Sequence, residues 1–253
     1  MSKGDPRYRG GACDGTLSDM KITALLAVGA LAAAMVTGAT ALPAAAEPPT
    51  PSYDFSDCPA LPSGVDPATW RCEVLTATGS MTLGRTTVPE LSPITITHAE
   101  GPLPDGGKGQ VYGGLRGAPT AVPGHHHMSL RPEYGGRSDF YSVGNSLGLF
   151  TMRFRVLDPL LPHGCTIGKD TPIELRLQRK GDSEWVSKDP PVIKADAYDD
   201  TFTAPRASGC GPLNPLVNHR LGLPSRTGNA IELSAVYTFR TYDTLDIPNA
   251  GGN

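Results

Sequence analysis

The residues able to do chemistry are few, and each sits in a recognisable local setting. Gly144-Asn145-Ser146-Leu147-Gly148 has the G-x-S-x-G spacing of a nucleophile elbow. In that device a strand turns sharply into a helix and lifts the serine oxygen beside an oxyanion hole. Here LFTMRFRVL follows, which is a strand pattern. The segment therefore reads as a Gly/Asn turn before a strand, with a hydrolase around Ser146 as the alternative. Its partners would be Asp196 or Asp199 and His219.

His125-His126-His127-Met128 is the densest set of ligand types. In an extended segment His125 and His127 point the same way, and neutral imidazoles suit copper or zinc. The run follows Ala121-Val122-Pro123-Gly124, a loop sequence, with no acidic neighbour to fix the imidazole tautomers. A metal held by His125 and His127 is the third functional expectation.

Other chemical residues have plainer readings. His98 continues the phase of Ile94 and Ile96, as a half-buried sheet histidine would. His163 and His219 flank Cys165 and Cys210 in sequence and become neighbours if those cysteines pair. Trp70 precedes Cys72 and is expected to pack on a disulfide. Trp185 is expected in core or edge packing rather than on a sugar platform. Asp189, Asp196, Asp199 and Asp200 show no calcium-loop spacing. Gly106-Gly107-Lys108-Gly109 lacks the spacing of a phosphate loop. No cofactor is expected.

The elements that must position these residues are strands. The 253-residue chain has 30 glycines and 25 prolines, too many helix breakers for a helical bundle. Apolar residues alternate with polar ones in Cys72–Thr78, Ser80–Val88, Ile94–His98, Leu147–Leu157, Ile173–Gln178 and Ile231–Arg240. Period two with one wet face is the pattern of antiparallel sheet. The expected fold is all-β: a single antiparallel β-sandwich or flattened barrel with long Gly/Pro-rich loops and two disulfides. Lys180-Gly181-Asp182-Ser183 is expected to turn a hairpin into Glu184-Trp185-Val186. Gly101–Pro123 and Asp196–Pro224 are expected to be long irregular loops.

The chain also carries an address. Ile22–Gly38 is apolar and uncharged, follows Lys21, and precedes Ala44-Ala45-Ala46, which fits the small-x-small cleavage rule. The expected division is 1–19 as an upstream extension, 20–46 as a signal peptide, 47–57 as a Pro-rich leader and 58–253 as the β domain. The competing reading, a transmembrane anchor, suits this short Ala/Gly-rich run less well. Four cysteines fall after the cleavage site: Cys58, Cys72, Cys165 and Cys210. An even count in an exported chain implies two disulfides. Of three possible pairings, sequence-local closure favours Cys58–Cys72 and Cys165–Cys210. Each bridge is worth roughly 3–4 kcal/mol through the denatured state.

The Ala-rich export signal, the segment CPALPSGVDPATWRC and the ending NAIELSAVYTFRTYD resemble uncharacterised secreted proteins of high-GC actinobacteria. The resemblance implies export and fold class and no activity. A net charge of -3 and the absence of a basic block exclude the footprint of a nucleic-acid binder. The leading expectation is a secreted, non-enzymatic binding or structural domain of the extracellular space or cell envelope. Its partner would be an envelope polymer or a secreted protein, with no stable membrane anchor after signal cleavage.

Overall fold

Period-two segments become long antiparallel strands in the computed structural model, which describes residues 53–246. The expected signal segment and cleavage site, and the first residues of the leader, lie outside the described residues. The strands are β1 (Arg71–Leu83), β2 (Thr86–Pro102), β3 (Lys108–Gly117), β4 (Thr120–Ala121), β5 (Ser129–Asp139) and β6 (Ser146–Leu157). They continue with β7 (Thr166–Ile167), β8 (Ile173–Arg179), β9 (Glu184–Lys188), β10 (Pro191–Asp199), β11 (Ala207–Ser208) and β12 (Ala230–Thr241). One helix, α1 (Asn214–Leu221), stands before β12. Among the described residues no helix is long and apolar enough to cross a membrane.

The twelve strands form one sheet, ordered β11-β7-β6-β8-β10-β12-β1-β2-β3, with β5 on β6 and β9 on β10. The sheet curls into a half-barrel. Its long edges, β3 and β5, meet through side chains instead of a ladder. Tyr112 stacks on Tyr134 with ring centroids 3.6 Å apart, and the Phe140 amide donates to Gln110 Oε1 at 2.9 Å. Pro132 lies inside β5 and has no N–H to offer, and the register of β5 slips between Tyr134 and Ser138. Both features blunt an edge that would otherwise invite pairing.

One end of the half-barrel is packed solid. Met81, Leu83, Val88, Leu91, Leu130, Phe154, Val156 and Ile167 are buried there with Val217 and Leu221 of α1. Cys165–Cys210 closes this end from outside the long strands, with a Cα separation of 4.2 Å. The β1–β2 turn docks on α1, since Arg85 N donates to Leu221 O at 2.9 Å. Gly84 in that turn has φ 64°, and a Cβ there would come within 2.4 Å of Leu221 O.

At the opposite end the segment before β1 wraps the outer face. Cys58–Cys72 anchors it, with Trp70, Ala99 and Tyr242 buried around the bridge. The Trp70 indole fits because Gly101 and Gly109 pair across β2 and β3. A Cβ on Gly101 would lie 2.5 Å from the indole ring. The indole N–H donates to Pro102 O at 2.8 Å. Both favoured disulfide pairings are present, and Trp70 packs on a bridge as expected.

Several local expectations are corrected. Lys180–Ser183 does not turn a hairpin. Lys180 N donates to Asp196 O at 2.8 Å, so β8 runs on along β10 into β9 across a bulge. The hairpin is instead β9–β10. Thr78 and Ser80 belong to one strand interrupted by register shifts around Gly79, and the turn falls at Gly84-Arg85. The stretches 101–123 and 196–224 are not long irregular loops: the first holds β3 and β4, the second the end of β10, β11 and α1. Gly/Pro content hid these elements because local punctuation is common in short strands closed by tertiary contacts. Trp185 lies on the edge strand β9, about half exposed.

Candidate functional site

The hollow end follows from three alanines. Cross-strand register places Ala77 opposite Ala235, and Ala235 opposite Ala195, on three adjacent strands. Directly opposed residues share a face, so this row faces inward together with Ile94, the partner of Ala77 on β2. Small-barrel interiors are ordinarily filled by side chains. Methyl groups on three neighbouring strands leave that space open. The result is a cavity of about 910 Å³, walled by Leu75, Ile96, Phe150, Met152, Leu175 and Leu177 among others.

Towards the open rim the same faces turn polar. Arg71 and Glu73 continue the inward phase of Leu75 and Ala77 on β1. His98 and Glu100 continue the inward phase of Ile94 and Ile96 on β2. Register then makes Glu73 the direct partner of His98, and Arg71 that of Glu100. Four polar side chains thus form a two-by-two block on one wall of a largely apolar cavity, whose lining also takes in Lys108, Ser142, Arg179 and Tyr237.

Arg71 is the cation of the block. Its Nε lies 2.6 Å from Glu73 Oε1, and its Nη2 pairs with Glu100 Oε1. The two carboxylates hold the guanidinium pKa above its ordinary value although burial acts to lower it. Glu100 Oε2 accepts from Gln110 Nε2 at 3.1 Å, which ties the block to the β3–β5 seam. The His98 ring lies 4.9 Å from that of Phe140.

Burial sets the charge states. Glu73 is pushed up to about 7, because its desolvation outweighs the attraction of Arg71. His98 is pushed down to about 4, chiefly by desolvation, so its imidazole is neutral at pH 7. His98 Nε2 and Glu73 Oε2 are 3.5 Å apart, too far for a good hydrogen bond. Both His98 nitrogens and Glu73 Oε1 are buried without a hydrogen-bond partner; for Glu73 Oε1 the close approach of Arg71 is misaligned. On β12, Tyr237 lines the cavity next to this block, with its phenol raised by burial.

Of the residues the sequence singles out, His98 belongs to the block and Gly106, Gly107, Lys108 and Gly109 line the cavity, while the others lie elsewhere. Ser146 opens β6, as expected for a turn before a strand, and its Oγ accepts from its own Gly148 N–H at 3.3 Å. Gln178 of β8 pairs with Ser146 on one side and with Tyr198, the neighbour of Asp199, on the other, so Ser146 and Asp199 stand two strands apart, while His219 lies on α1. Asp199 is buried and accepts from Arg176 N and from Thr201 N and Oγ1. These residues do not assemble a triad. His125 and His127 occupy the β4–β5 turn, where Met128 N donates to His125 O at 3.0 Å, and neither lines the cavity. Among the described residues, the three side chains whose ligand atoms converge are Glu73, His98 and Glu100. His163 and His219 join no such group although Cys165 and Cys210 pair.

Arg71, Glu73 and Glu100 escape a sequence reading because Glu73 alternates with Cys72 and Val74, which makes it look like a wet-face residue. The signal that was present is phase: Ile94, Ile96, His98 and Glu100 share one face. A second depression, of about 960 Å³, lies on the outer face and includes Lys180, Asp196 and Glu232. It is wide open, and Lys180 and Glu232 already pair at 2.8 Å. No family model, curated protein or solved structure matches this chain closely enough to support a likeness.

Proposed function

We infer that the protein is a secreted binding domain that carries a small, largely apolar molecule inside the half-barrel. The observation that carries this reading is the hollow end: a largely apolar cavity of about 910 Å³ with a buried polar block on one wall. Sites for small molecules are of this size and kind, mostly apolar with a few placed polar groups. The row Ala77–Ala235–Ala195 supports it further, since filling those positions with larger apolar residues would close the space.

Export is supported by Ile22–Gly38 followed by Ala44-Ala45-Ala46. The two disulfides are of the sort that persist in oxidising compartments. A mature N-terminus near Glu47 in the culture fluid is the expected result of mass spectrometry. An uncleaved chain retained in the membrane would overturn export.

The binding reading is tested with a neutral apolar fluorophore, N-phenyl-1-naphthylamine. Wild type is expected to bind it with 1:1 stoichiometry and enhanced emission. Ala235→Trp puts an indole into the alanine row and is expected to abolish that binding while leaving the far-UV spectrum unchanged. Equal binding by a folded Ala235→Trp variant would place the dye elsewhere and overturn the reading.

A further inference from the structure

One wall of the cavity gathers acceptors in excess of what the protein itself satisfies. Ligand atoms of Glu73, His98 and Glu100 all lie within 4.8 Å of one another. His98 is only 5% exposed, yet neither of its nitrogens has a partner, and Glu73 Oε1 has only the misaligned ion-pair approach of Arg71. Buried polar atoms left without a partner are uncommon, and each such group has to be accounted for. The charge balance is also short. Glu73 and Glu100 pair with one cation, Arg71, and His98 is neutral; Lys108 and Arg179 line the same cavity but pair with neither carboxylate. With both carboxylates ionised, one negative charge stands uncompensated beside an apolar cavity. A buried charge in that position is costly unless a partner arrives.

We propose that Glu73, His98 and Glu100 hold the ammonium group of an amphiphilic amine whose apolar tail lies along the alanine row. The proposal rests on the cavity reading above and names the chemistry of its ligand. An ammonium offers three donors and no acceptor. Charge-assisted bonds of about 2.8 Å in tetrahedral directions place their acceptors about 4.6 Å apart, which the 4.8 Å limit accommodates. A tetrahedral zinc ion with bonds near 2.1 Å requires ligand atoms only about 3.4 Å apart. His98 Nε2 and Glu73 Oε2, 3.5 Å apart, meet the zinc spacing, so zinc is the competing outcome of the test.

Arg71 engages Oε1 of both glutamates, which leaves Glu73 Oε2 for the ligand together with the second lone pair of Glu100 Oε2, whose first accepts from Gln110 Nε2. A carboxylate head group is disfavoured, since it would face two acids whose arginine is already shared. A hydroxyl head group finds hydrogen bonds but leaves the negative charge unbalanced.

The test compares decylamine, decanol and decanoate by isothermal titration against the disulfide-bonded protein, below the micelle concentration of each. The amine is expected to bind tightest and the acid weakest. Glu73→Gln and Glu100→Gln keep the shape of the block and remove a charge. Each is expected to weaken the amine by about thirtyfold or more and to change the alcohol far less, since glutamine keeps a hydrogen-bonding oxygen. The groups facing Glu73 are Arg71 on its own strand, His98 and Glu100 on β2, and Tyr237 on β12. Of these, His98 is neutral throughout pH 6 to 8. Glu73, near 7, ionises in that range, while the amine, with a pKa of about 10.4, remains charged. Amine affinity is therefore expected to rise from pH 6 to 8, and alcohol affinity is not.

Equal affinity for the three probes would overturn the ammonium proposal and leave the cavity reading intact. Failure of every probe, with Ala235→Trp indistinguishable from wild type, would overturn the cavity reading itself. Stoichiometric zinc binding that His98→Gln abolishes, without amine preference, would make the triangle a metal site and overturn the ammonium. Near-UV circular dichroism of each variant confirms that the fold is retained.

Discussion

The same long strands run through both ends of the half-barrel, yet one end is solid and the other hollow. At the solid end Met81, Leu83, Val88, Phe154 and Val156 interdigitate and α1 seals the opening. At the hollow end the corresponding inward positions are alanines and then charged residues. Both ends carry a disulfide and both have buried aromatics, so neither feature separates them. What separates them is side-chain volume on the inward phase. The strand framework tolerates a void of about 910 Å³ because the other end supplies the packing that holds the sheet curled.

The largest effect expected from this difference is at the solid end. Phe154→Ala should cost about 3–5 kcal/mol in denaturant unfolding, the transfer loss plus an unfilled cavity. Leu177→Ala, whose side chain already borders open space, should cost under about 2 kcal/mol. Equal losses at the two positions would mean that the cavity is closed in solution.

The disulfides come next. Cys165 and Cys210 enclose a loop with sequence separation 45, against 14 for Cys58 and Cys72. Replacing the former pair with alanine should lower stability by about 4 kcal/mol and the latter by about 3 kcal/mol. Loss of the second bridge should also loosen the segment that seats Trp70, visible as faster exchange of the 53–70 amides.

Small-to-large changes sharpen the comparison with opposite signs. Ala207→Leu, in the filled end, should overpack and cost about 1–3 kcal/mol. Ala235→Leu should cost less than about 0.5 kcal/mol or stabilise, because open volume receives the added atoms. A Gly101→Ala change should destabilise by about 1–3 kcal/mol, since its methyl meets the Trp70 ring.

The smallest expected effect is a pH dependence hidden by compensation. Glu73 has a raised pKa, about 7 folded against 4.5 unfolded. It therefore contributes stability that is full below 4.5 and is lost as pH rises to 7. His98 has a lowered pKa, about 4 folded against 6.5 unfolded. Its contribution runs the other way: stability is lost as pH falls from 6.5 to 4. Between 4.5 and 6.5 the two slopes oppose each other. His98→Gln should expose the Glu73 slope, with stability falling as pH rises through this window. Glu73→Gln should expose the reverse. Parallel pH profiles in the two variants would show that the block is not buried as described.

Much of the architecture was legible locally. Period two in Ile231–Phe239 and in Leu147–Val156 marks strands because a sheet with one covered face demands that alternation. The even cysteine count and short spacings favoured the bridges that form. The Gly/Asn turn at Ser146 was legible for the same reason, since LFTMRFRVL leaves no room for a helix after it. The candidate site was largely hidden. His98 was visible as an inward residue through its phase with Ile94 and Ile96. Glu73 was not, because alternation alone does not say which face of β1 turns inward.

The sequence by itself determined an antiparallel β protein with two sequence-local disulfides, because alternation and cysteine spacing act over a few residues. Tertiary structure decided the rest. It curled the sheet so that a polar phase on β1 faced inward, aligned Ala77, Ala235 and Ala195 across three strands, and opposed Glu73 to His98. Those relations depend on strand order and register, set by contacts far apart in the chain.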